Sequence, residues 1–395
     1  MKLLWIKTDF LHPTNRGGQI RTLKMLERLH ARHQVDYLCL DDGAHAEGPA
    51  RAAEYSRRAV SVPHHPPSKS SPAFAMQLAA AALSRLPVAV YRYRSDEMRR
   101  KIDELTRAED YDAVVCDFLF PAPNVDQIED CVLFQHNVET MIWRRHAAQA
   151  PDPVRRFYFG LEAKKMFAYE GEVCRRAKGV VAVSEADSQT MHQEFGIDRP
   201  PSVPTGVDVE FFARPADGKF PRHDLVFLGS MDWMPNIDGM RYFIEEVLPL
   251  IRARRPQTSV AIVGRNPSSE TKRLAESVPD VTVTGTVDDV RPYLWGGAVS
   301  IVPLRIGGGT RLKIYEAMAA GVPTVSTAIG AEGLEVESPV NIRMADEPAA
   351  FAEECLALLD DPRARASVSE AALTLVREHF SWEVVSRRFE AAIGA

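Results

Sequence analysis

The chain alternates short apolar runs with stretches in which apolar residues recur every three or four positions. In the first half, the apolar runs with strand character are KLLWIKT, QVDYLCL, AVSV, DAVVCD, CVLFQHN and GVVAVS. In the second half they are DLVFLGS, SVAIVG, VTVTGTV, AVSIVPL and VPTVST. Strands that alternate with amphipathic stretches are typical of parallel sheets with helical crossovers. The pattern therefore predicts an α/β protein.

The two sets of strands are separated by TGVDVEFFARPADGKFPRHD, a segment rich in Pro, Asp and Gly that is typical of a linker. A chain of 395 residues is also long for a single core. We predict two doubly wound, Rossmann-like domains that face each other across a cleft, over residues 1–205 and 206–380. A final helix over 381–395 can cross back to the N-terminal domain. Ligands of such sheets bind beyond the carboxyl ends of the strands.

The composition is that of a globular protein, with 45% hydrophobic and 26% charged residues and a net charge of -6. This balance gives no indication of nucleic-acid binding. The charge is uneven, since residues 1–200 carry 28 Lys and Arg against 27 Asp and Glu. The N-terminal half is therefore the better match for an anionic surface.

The five cysteines lie far apart and form no CxxC pair, which predicts buried free thiols in a reducing, cytoplasmic compartment. No apolar run reaches the ~18 residues of a membrane-spanning helix. The Ala-rich stretch AFAMQLAAAALSRL favours an ordinary amphipathic helix over one that lies on a membrane. With the mildly basic N-terminal half, it still suggests the hypothesis of peripheral contact with a membrane that bears a lipid-linked acceptor.

The stretch RIGGGTRLKIYEAMAAGVPTVST combines a glycine loop with two cations at the start of a predicted helix. Thr310 is the expected N-cap, which makes Arg311 the first helical residue and Lys313 the third. Cations at a helix N-terminus are normally unfavourable by about 0.3–1 kcal/mol each, so an anion should offset them. The amides of Gly308 and Gly309 can approach such a ligand closely. The pattern predicts a phosphate or diphosphate site.

Glu316 lies one helical turn beyond Lys313. It is either the partner of an intrahelical ion pair, worth about 0.3–0.5 kcal/mol, or a carboxylate that accepts hydrogen bonds from two adjacent hydroxyls, as on a ribose. The spacing leaves both interpretations open. Asp288 and Asp289 have no third ligand nearby in sequence, so we expect no metal site there.

Two glycines in RGGQIRT, Gly17 and Gly18, stand between the first strand and a helix that we expect to begin near Gln19. They are either part of a tight strand-to-helix turn or a close approach to a donor phosphate or sugar. In VLFQHNVE, His136 follows a strand at the edge where doubly wound sheets expose functional groups.

Further polar residues follow the strands of the first half. Asn137 and Glu139 lie in the same loop as His136, and Glu139 is either a contact of His136 or of an acceptor, or a helix N-terminal carboxylate. Asp117 ends another strand and is a weaker candidate for the acceptor side.

These motifs together resemble glycosyltransferase family 4, the retaining GT-B enzymes of the "glycosyl transferases group 1" type. The donor-site signature is similar to PLRIGGGTRLKIYEAMAAGVPTVST with the following GAEGL. GGQIRT, HNVE, TGVD and FLGSMDWMPN stand where that family would place them, so the resemblance covers the whole chain. It implies the GT-B fold and a nucleotide-diphosphate sugar held mainly by the C-terminal domain.

The resemblance also implies roles for individual residues. Glu316 takes the ribose hydroxyls, Arg311 and Lys313 neutralise the diphosphate, and His136 contacts the donor sugar near the anomeric centre. The donor-binding positions carried over are Gly17, Gly18, Gly229, Val287, Gly308, Gly309 and Thr310, with backbone groups around Val287 near the base.

Two positions depart from the family pattern. Gly308 stands where relatives keep a sugar-contacting Glu, and Ser230 and Asn236 stand where many carry an Arg and a Lys. The positive charge would then have moved to Arg311 and Lys313.

The sequence thus predicts a retaining glycosyltransferase that moves a hexose, preferably from a UDP-sugar, to a hydroxyl of a sugar, lipid-linked or small-molecule acceptor. Polysaccharide, glycolipid or glycoconjugate synthesis is the expected setting, with no metal and no cofactor besides the donor. Two alternatives remain at this point: a GT-B sugar-nucleotide epimerase, and a non-catalytic nucleotide-sugar-binding protein.

Overall fold

The computed structural model describes residues 1–14, 17–68, 71–307 and 311–394. Its chain divides into two compact units. Unit 1 comprises Met1–Pro204 and Val385–Ala395, and unit 2 comprises Thr205–Val384.

Unit 1 is built on a six-stranded sheet with the order β3-β2-β1-β4-β5-β6. All of its strand pairs are parallel; Leu3, for example, pairs with Val35 on one side and Ala113 on the other. The order reverses between β1 and β4, which is the switch point of a doubly wound sheet. The strands are β1 Lys2–Lys7, β2 Gln34–Asp41, β3 Arg58–Pro63, β4 Ala113–Asp117, β5 Cys131–Phe134 and β6 Gly179–Val181.

Unit 2 repeats this topology in a second parallel sheet, with the order β12-β11-β10-β7-β8-β9. When its strands are numbered from one and the sheet is read from the β9 edge, the order is 3-2-1-4-5-6, as in unit 1. The switch point lies between β7 and β10. The strands are β7 His223–Leu228, β8 Val260–Val263, β9 Val281–Val283, β10 Gly297–Val302, β11 Thr324–Ser326 and β12 Arg343–Met344.

The strands form where the apolar runs predict them, because both faces of a parallel sheet are covered by helices. In β1 the residues Leu3–Ile6 are fully buried, and in β8 Val260–Val263 are almost so. The edge strand β12 has only two residues and no apolar run, and the sequence does not predict it. All five cysteines are buried and free, as expected.

The helices begin and end at identifiable signals. Asp152 accepts a hydrogen bond from the Arg155 amide (2.8 Å) at the start of α7, and Ser184 caps α8. Gly196 ends α8 in the left-handed region, with φ 66°. In unit 1 the helices are α1 Gly17–His30, α2 Glu47–Ala50, α3 Pro72–Leu83, α4 Val88–Tyr91, α5 Asp96–Ala108, α6 Glu139–Ala148, α7 Pro153–Arg176 and α8 Glu185–Phe195, with short 3₁₀ turns at Ala52–Glu54, Ala122–Asn124 and Ile128–Asp130.

Unit 2 contains helices on both faces of its sheet, interrupted by two π-helical turns at Phe243–Val247 and Val376–Phe380. Its α-helices are α9 Val209–Phe212, α10 Met234–Tyr242, α11 Leu248–Arg254, α12 Ser269–Glu276, α13 Arg291–Gly296, α14 Leu312–Ala319, α15 Pro348–Asp360 and α16 Pro362–Leu375.

The last helix, α17 (Trp382–Gly394), begins directly after Ser381, and its residues from Val385 onward belong to unit 1. There Phe389 packs against Trp5 and Phe134, with ring centroids 5.4 and 4.9 Å apart. This buried aromatic contact ties the C-terminus to the first strand of unit 1.

Two predicted helix starts are wrong by one or two residues. α1 begins at Gly17, not near Gln19, so both glycines lie in its first turn. α14 begins at Leu312 with Arg311 in the cap position, so Arg311 is not its first helical residue. Arg311 has φ -87° and ψ 69°, which lies outside the helical region.

Candidate active site

Two cations of unit 2, Lys313 and Arg311, lie near its switch point. Lys313, in the first turn of α14, donates a hydrogen bond from Nζ to Oδ1 of Asn236 (2.9 Å). Its ammonium also lies 4.3 Å from the ring centroid of Phe227 in β7. Gly229 follows β7, and a Cβ placed there would come within 2.7 Å of both Lys313 Nζ and Asn236 Nδ2. The missing side chain at Gly229 thus makes room for the ammonium.

Burial sets the charge of this cluster. It lowers the pKa of Lys313 to about 7, Arg311 lowers it further, and only the charge of Glu316 opposes the shift. Burial also raises the pKa of Glu316, against the effect of Lys313. A buried ammonium without full compensation is the condition in which an added anion binds most favourably.

Arg311 is 4% exposed and lies beside the same loop. Its guanidinium carbon lies 5.2 Å from the ring centroid of Trp233, and a Cβ at Gly307 would come within 3.0 Å of Nη2. Gly307 has φ 117°, which a side chain would rarely adopt. Burial lowers the pKa of Arg311, and the charge of Glu332 raises it.

The remaining donor-side positions of unit 2 divide into two groups. Gly308, Gly309 and Thr310 lie outside the described residues. Val287 follows the edge strand β9 and packs half-buried against the core of unit 2. Asp289 forms an ion pair with Arg291 (2.7 Å), and no group of metal-ligating side chains occurs among the described residues.

Asp117 is the central polar group of unit 1. It ends β4, is fully buried, and its Oδ2 accepts hydrogen bonds from Trp5 Nε1 (2.9 Å), Lys7 Nζ (2.7 Å) and Thr22 Oγ1 (2.7 Å). Lys7 ends β1, the strand beside β4 at the switch point. Burial raises the pKa of Asp117, but the charge of Lys7 and the hydrogen bond from His136 outweigh it and hold that pKa well below its usual range.

The other oxygen of Asp117 holds His136. His136 Nε2 lies 2.7 Å from Asp117 Oδ1, and the imidazole stacks on Phe118 with centroids 3.8 Å apart. Burial lowers the pKa of His136 to about 4, although Asp117 raises it, so the ring is neutral at pH 7. A neutral ring beside a carboxylate carries its proton on Nε2, which leaves the Nδ1 lone pair as an acceptor.

This geometry corrects the interpretation of Asp117. Asp117 has no exposed surface, its Oδ2 is hydrogen-bonded and its Oδ1 faces His136 Nε2 at 2.7 Å, so it does not line an acceptor pocket. It instead fixes the tautomer and orientation of His136.

The glycines of α1 differ in their surroundings. A Cβ at Gly18 would lie 2.9 Å from Phe118 Cζ and 3.8 Å from His136 Nδ1, whereas one at Gly17 would meet nothing within 4 Å. Gly18 is therefore required by the Phe118–His136 stack. Phe118 itself has φ 74°, an unusual conformation for a bulky residue.

The loop after His136 is organised by a buried carboxylate on α7. Glu170 accepts hydrogen bonds from Gln135 Nε2 (3.0 Å), the Glu139 amide (2.9 Å), and the amide and hydroxyl of Thr140 (2.8 and 2.6 Å). It thereby supplies the N-terminal cap of α6 from another helix.

Glu139 and Asn137 complete this loop. Asn137 is exposed, and burial together with the charge of Glu170 raises the pKa of Glu139 to about 7, while a hydrogen bond from Asn137 lowers it. Glu139 is thus a carboxyl group that changes charge near neutral pH.

Four residues of this polar network were not predicted from the sequence: Lys7, Thr22, Trp5 and Glu170. Lys7 carried a signal, since a Lys that ends an otherwise buried strand needs a partner. Glu170 carried none, because its partners lie about thirty residues away in the chain.

Two family models match the chain in succession. Residues 15–211 match the model described as Glycosyltransferase Family 4, and residues 222–361 match the model described as Glycosyl transferases group 1. The chain belongs to this glycosyltransferase family. It is an enzyme of the GT-B fold, with each model covering most of one unit.

Individual relatives agree with this assignment. This chain is 20% identical over 400 residues to an "Uncharacterized 44.6 kDa protein in cps region" of Klebsiella pneumoniae, and the alignment covers 96% of each chain. It is 30% identical over 215 residues to a "GDP-mannose-dependent monoacylated alpha-(1-6)-phosphatidylinositol monomannoside mannosyltransferase" of Corynebacterium glutamicum. That alignment covers 47% of this chain and 54% of the relative.

Solved structures share the fold of this glycosyltransferase. The crystal structure of Anabaena Alr3699/HepE in complex with UDP and glucose matches with a TM-score of 0.63 and 14% identity. The match covers 99% of this chain and 98% of HepE. At this identity the comparison shows the common architecture.

Proposed function

We propose that this glycosyltransferase transfers a hexose from a nucleotide-diphosphate sugar to an acceptor hydroxyl with retention of the anomeric configuration. The observation that carries the proposal is the half-buried Lys313 ammonium, hydrogen-bonded to Asn236 at the switch point of unit 2, beside the N-terminus of α14. Such a site attracts a diphosphate through both the fixed charge and the helix dipole.

In this proposal the bond from the anomeric carbon to the diphosphate breaks while the acceptor oxygen bonds to the same face of that carbon. The acceptor proton passes to the departing phosphate oxygen. Lys313 and Arg311 stabilise the charge that develops on the leaving group, which is electrostatic catalysis by preorganised cations. Glu316 accepts hydrogen bonds from the ribose hydroxyls.

His136 contacts the substrate through Nδ1. Since Asp117 binds the Nε2 proton, Nδ1 accepts a hydrogen bond from a sugar hydroxyl and does not donate one. Glu139 and Asn137 serve the acceptor side, and Glu139 is the carboxyl group whose charge state changes near neutral pH.

Transfer proceeds without a metal ion in this proposal, because the cations of unit 2 take the place of a bridging metal. The test is transfer in the presence of excess EDTA, with Mg²⁺ or Mn²⁺ restored in a parallel sample. We expect unchanged kcat. Loss of transfer that the metal restores would overturn this part of the proposal.

UDP-sugars are the preferred donors. HepE, which shares the fold, binds UDP and glucose. The mannosyltransferase of Corynebacterium glutamicum is GDP-mannose-dependent, which makes GDP-mannose the second candidate. Polysaccharide, glycolipid or glycoconjugate synthesis is the setting, and the protein in the cps region of Klebsiella pneumoniae matches over nearly its whole length.

The decisive experiment follows release of the nucleoside diphosphate with and without acceptor extracts, and determines the anomeric configuration of the product by NMR. We expect acceptor-dependent release and a retained configuration. Lys313→Met should lose transfer, whereas Lys272→Met, an exposed lysine on α12 of the same unit, should keep it. Release without an acceptor, or an inverted product, would contradict the proposal.

We further propose that the protein contacts a membrane peripherally, at its cytoplasmic face, through the surface of α3 and the first turns of α7. No described helix is long and apolar enough to cross a bilayer. The two helices are adjacent, since Lys165 donates hydrogen bonds to the carbonyls of Ala81 and Ala82. Their exposed apolar side chains are Met76, Leu83, Val154, Phe157, Tyr158 and Leu161.

Charge favours an anionic bilayer as the partner of this surface. Arg155 and Arg156 are exposed on the same turns of α7 as Phe157, which is 69% exposed. Co-sedimentation with phosphatidylglycerol vesicles should exceed that with phosphatidylcholine vesicles, and Phe157→Ser should weaken it. Equal, negligible binding to both vesicles would refute membrane contact.

A further inference from the structure

Glu170 of α7 is a fully buried residue whose carboxyl group lies against the loop that contains His136. Oε1 accepts hydrogen bonds from Gln135 Nε2 (3.0 Å) and from the amide of Glu139 (2.9 Å). Oε2 accepts from the amide and the hydroxyl of Thr140 (2.8 and 2.6 Å). Gln135 precedes His136, and the other two partners begin α6. One side chain thus binds both ends of the His136 loop.

The two ends of this loop are held in different ways. On the strand side, the amide of Gln135 also donates to the carbonyl of Val181 (2.9 Å), which continues the pairing of β5 with β6. On the helix side, Val138 occupies the cap position of α6, and its side chain makes no capping hydrogen bond. The first amides of a helix have no partner within the helix itself. Glu170 supplies that partner, so the position of the start of α6 depends on this one side chain.

The imidazole of His136 is held by other residues. Its Nε2 lies 2.7 Å from Asp117 Oδ1, and its ring stacks on Phe118. These contacts fix the tautomer and the plane of the ring, whereas the backbone of the loop fixes where the side chain begins. The position of Nδ1, the atom that meets the sugar in the proposed function, depends on both. A misplacement of about 1 Å in such a contact can lower a rate by about 100-fold.

The hydrogen bonds of Glu170 require two acceptor atoms. The amides of Glu139 and Thr140 donate to different oxygens, so both oxygens must accept. The side chain of a glutamine offers one acceptor and one donor. In Glu170→Gln, either orientation of the new amide therefore leaves one of these two backbone amides facing an NH2 group. A buried donor without an acceptor is costly, so the start of α6 should shift although the side-chain volume hardly changes.

We propose that Glu170 is a positioning residue of the transferase: it fixes the start of α6 and thereby places His136 Nδ1 against the substrate. The inference rests on the proposed function and adds to it a residue that acts through His136. Glu170 has no exposed surface, so it does not meet the substrate itself.

The same helix offers a matched control. Glu162 of α7 is 4% exposed, and its Oε2 accepts a hydrogen bond from the amide of Val88 (2.7 Å) at the start of α4. It therefore serves a helix N-terminus from α7, as Glu170 does, but that helix is not part of the His136 loop. The two glutamates lie about 12 Å apart along the axis of α7. A loss of stability and a loss of positioning can thus be separated.

The first test compares Glu170→Met with Glu162→Met in the transfer assay. Each variant removes a buried acceptor from the start of a helix, so both should lower the Tm. Only Glu170→Met should lower kcat, by roughly 10–100-fold, with the donor Kd within about threefold because unit 2 holds the donor in the proposed function. Glu170→Gln should also lower kcat, and it keeps the assay possible if Glu170→Met does not fold. Wild-type kcat in the Glu170 variants, or an equal loss in Glu162→Met, would overturn the proposal.

A double-mutant cycle tests whether Glu170 acts through His136. His136→Ala should lower kcat by itself, and the addition of Glu170→Gln should then lower it by no more than about twofold. Two losses that multiply would show that Glu170 acts by another route, and would overturn the positioning role.

A spectroscopic signature separates this inference from the transferase function. The ring Cε1–Hε1 NMR signal of His136, assigned by its absence in His136→Ala, should move in Glu170→Gln and stay in place in Glu162→Met. An unmoved signal in Glu170→Gln would overturn the positioning role whether or not the protein transfers a sugar. A signal that moves as expected in a protein whose wild type transfers nothing would instead count against the proposed function.

Discussion

The clearest quantitative prediction concerns the proton on Lys313. Burial lowers the pKa of this lysine to about 7, so in the free enzyme at pH 8 only about 10% of the molecules carry the ammonium. If the ammonium meets the donor diphosphate, binding must restore the charge. Donor binding is then coupled to proton uptake, and donor affinity falls as the pH rises above 7.

The size of the effect follows from Coulomb's law. A phosphate charge about 4 Å from the ammonium stabilises it by about 4 kcal/mol at an effective dielectric constant near 20. At 1.36 kcal/mol per unit, this raises the pKa in the complex by about three units, to near 10. The donor should therefore take up about 0.9 proton at pH 8 and about 0.1 at pH 6, and Kd should rise about tenfold per pH unit between 7 and 9.

Isothermal titration calorimetry in buffers of different ionisation enthalpy measures both quantities. The ligand should be an intact UDP-sugar, since a free nucleoside diphosphate has its own phosphate ionisation near pH 6. Lys313→Met is the control, with weaker donor binding that no longer depends on pH. The same variant should raise the Tm of the unliganded protein more at pH 6 than at pH 9. Below its pKa the wild-type amine is charged in a desolvated site, which costs stability, whereas above its pKa the folded protein holds it neutral.

A donor Kd that is constant between pH 6.5 and 9, with no proton uptake at pH 8, would refute the reasoning. So would an identical pH dependence in Lys313→Met, which would assign the proton to another group.

Three further substitutions follow from the described contacts. Gly18→Ala should lower kcat by roughly 10–100-fold, because its Cβ would displace the Phe118 ring that supports His136. Gly160→Ala, on α7, has open space and should keep wild-type kcat in the same transfer assay. Asp117→Asn should lower the free energy of unfolding by about 3–5 kcal/mol in a urea titration, since it leaves the buried Lys7 ammonium unpaired. Unchanged stability would contradict the role of Asp117 as the partner of Lys7. Glu316→Gln should raise the Kd of a UDP-sugar roughly tenfold or more with little change in Tm, and the reverse pattern would favour a structural ion pair.

Much of the fold could be predicted from local pattern. The apolar runs LLWI and VAIV are buried on both faces, and such runs mark the central strands of parallel sheets. The edge strand β12 (Arg343–Met344) was missed because an edge position needs no apolar run. The helix boundaries at Gly17 and Leu312 were misplaced because glycines and loop residues say little about where helical dihedrals begin.

The candidate site could be predicted only where its chemistry lies within one motif. The signature around Arg311 and Lys313 is local, and so is the loop that contains His136. The partners of these residues are not local: Lys7 meets Asp117 across 110 positions, and Lys313 meets Asn236 across 77. Asp117 looked like an acceptor residue because its burial is decided by tertiary contacts that the sequence does not display.

Lys313 and Asn236 join two elements of unit 2. Asn236 on α10 accepts a hydrogen bond from the ammonium that extends from α14. Gly229 leaves room for this ammonium.

In the proposed function, unit 2 binds a nucleotide-diphosphate sugar through Lys313 and Arg311. Thermal-shift measurements with UDP-, GDP- and dTDP-sugars test it most directly, on the wild type, Lys313→Met and Lys272→Met. At a donor concentration 100 times Kd the wild type should gain about 2.7 kcal/mol, which is a shift of several degrees, and Lys272→Met should gain the same. Lys313→Met should gain much less. No shift of the wild type with any donor, or an equal shift in Lys313→Met, would contradict the account.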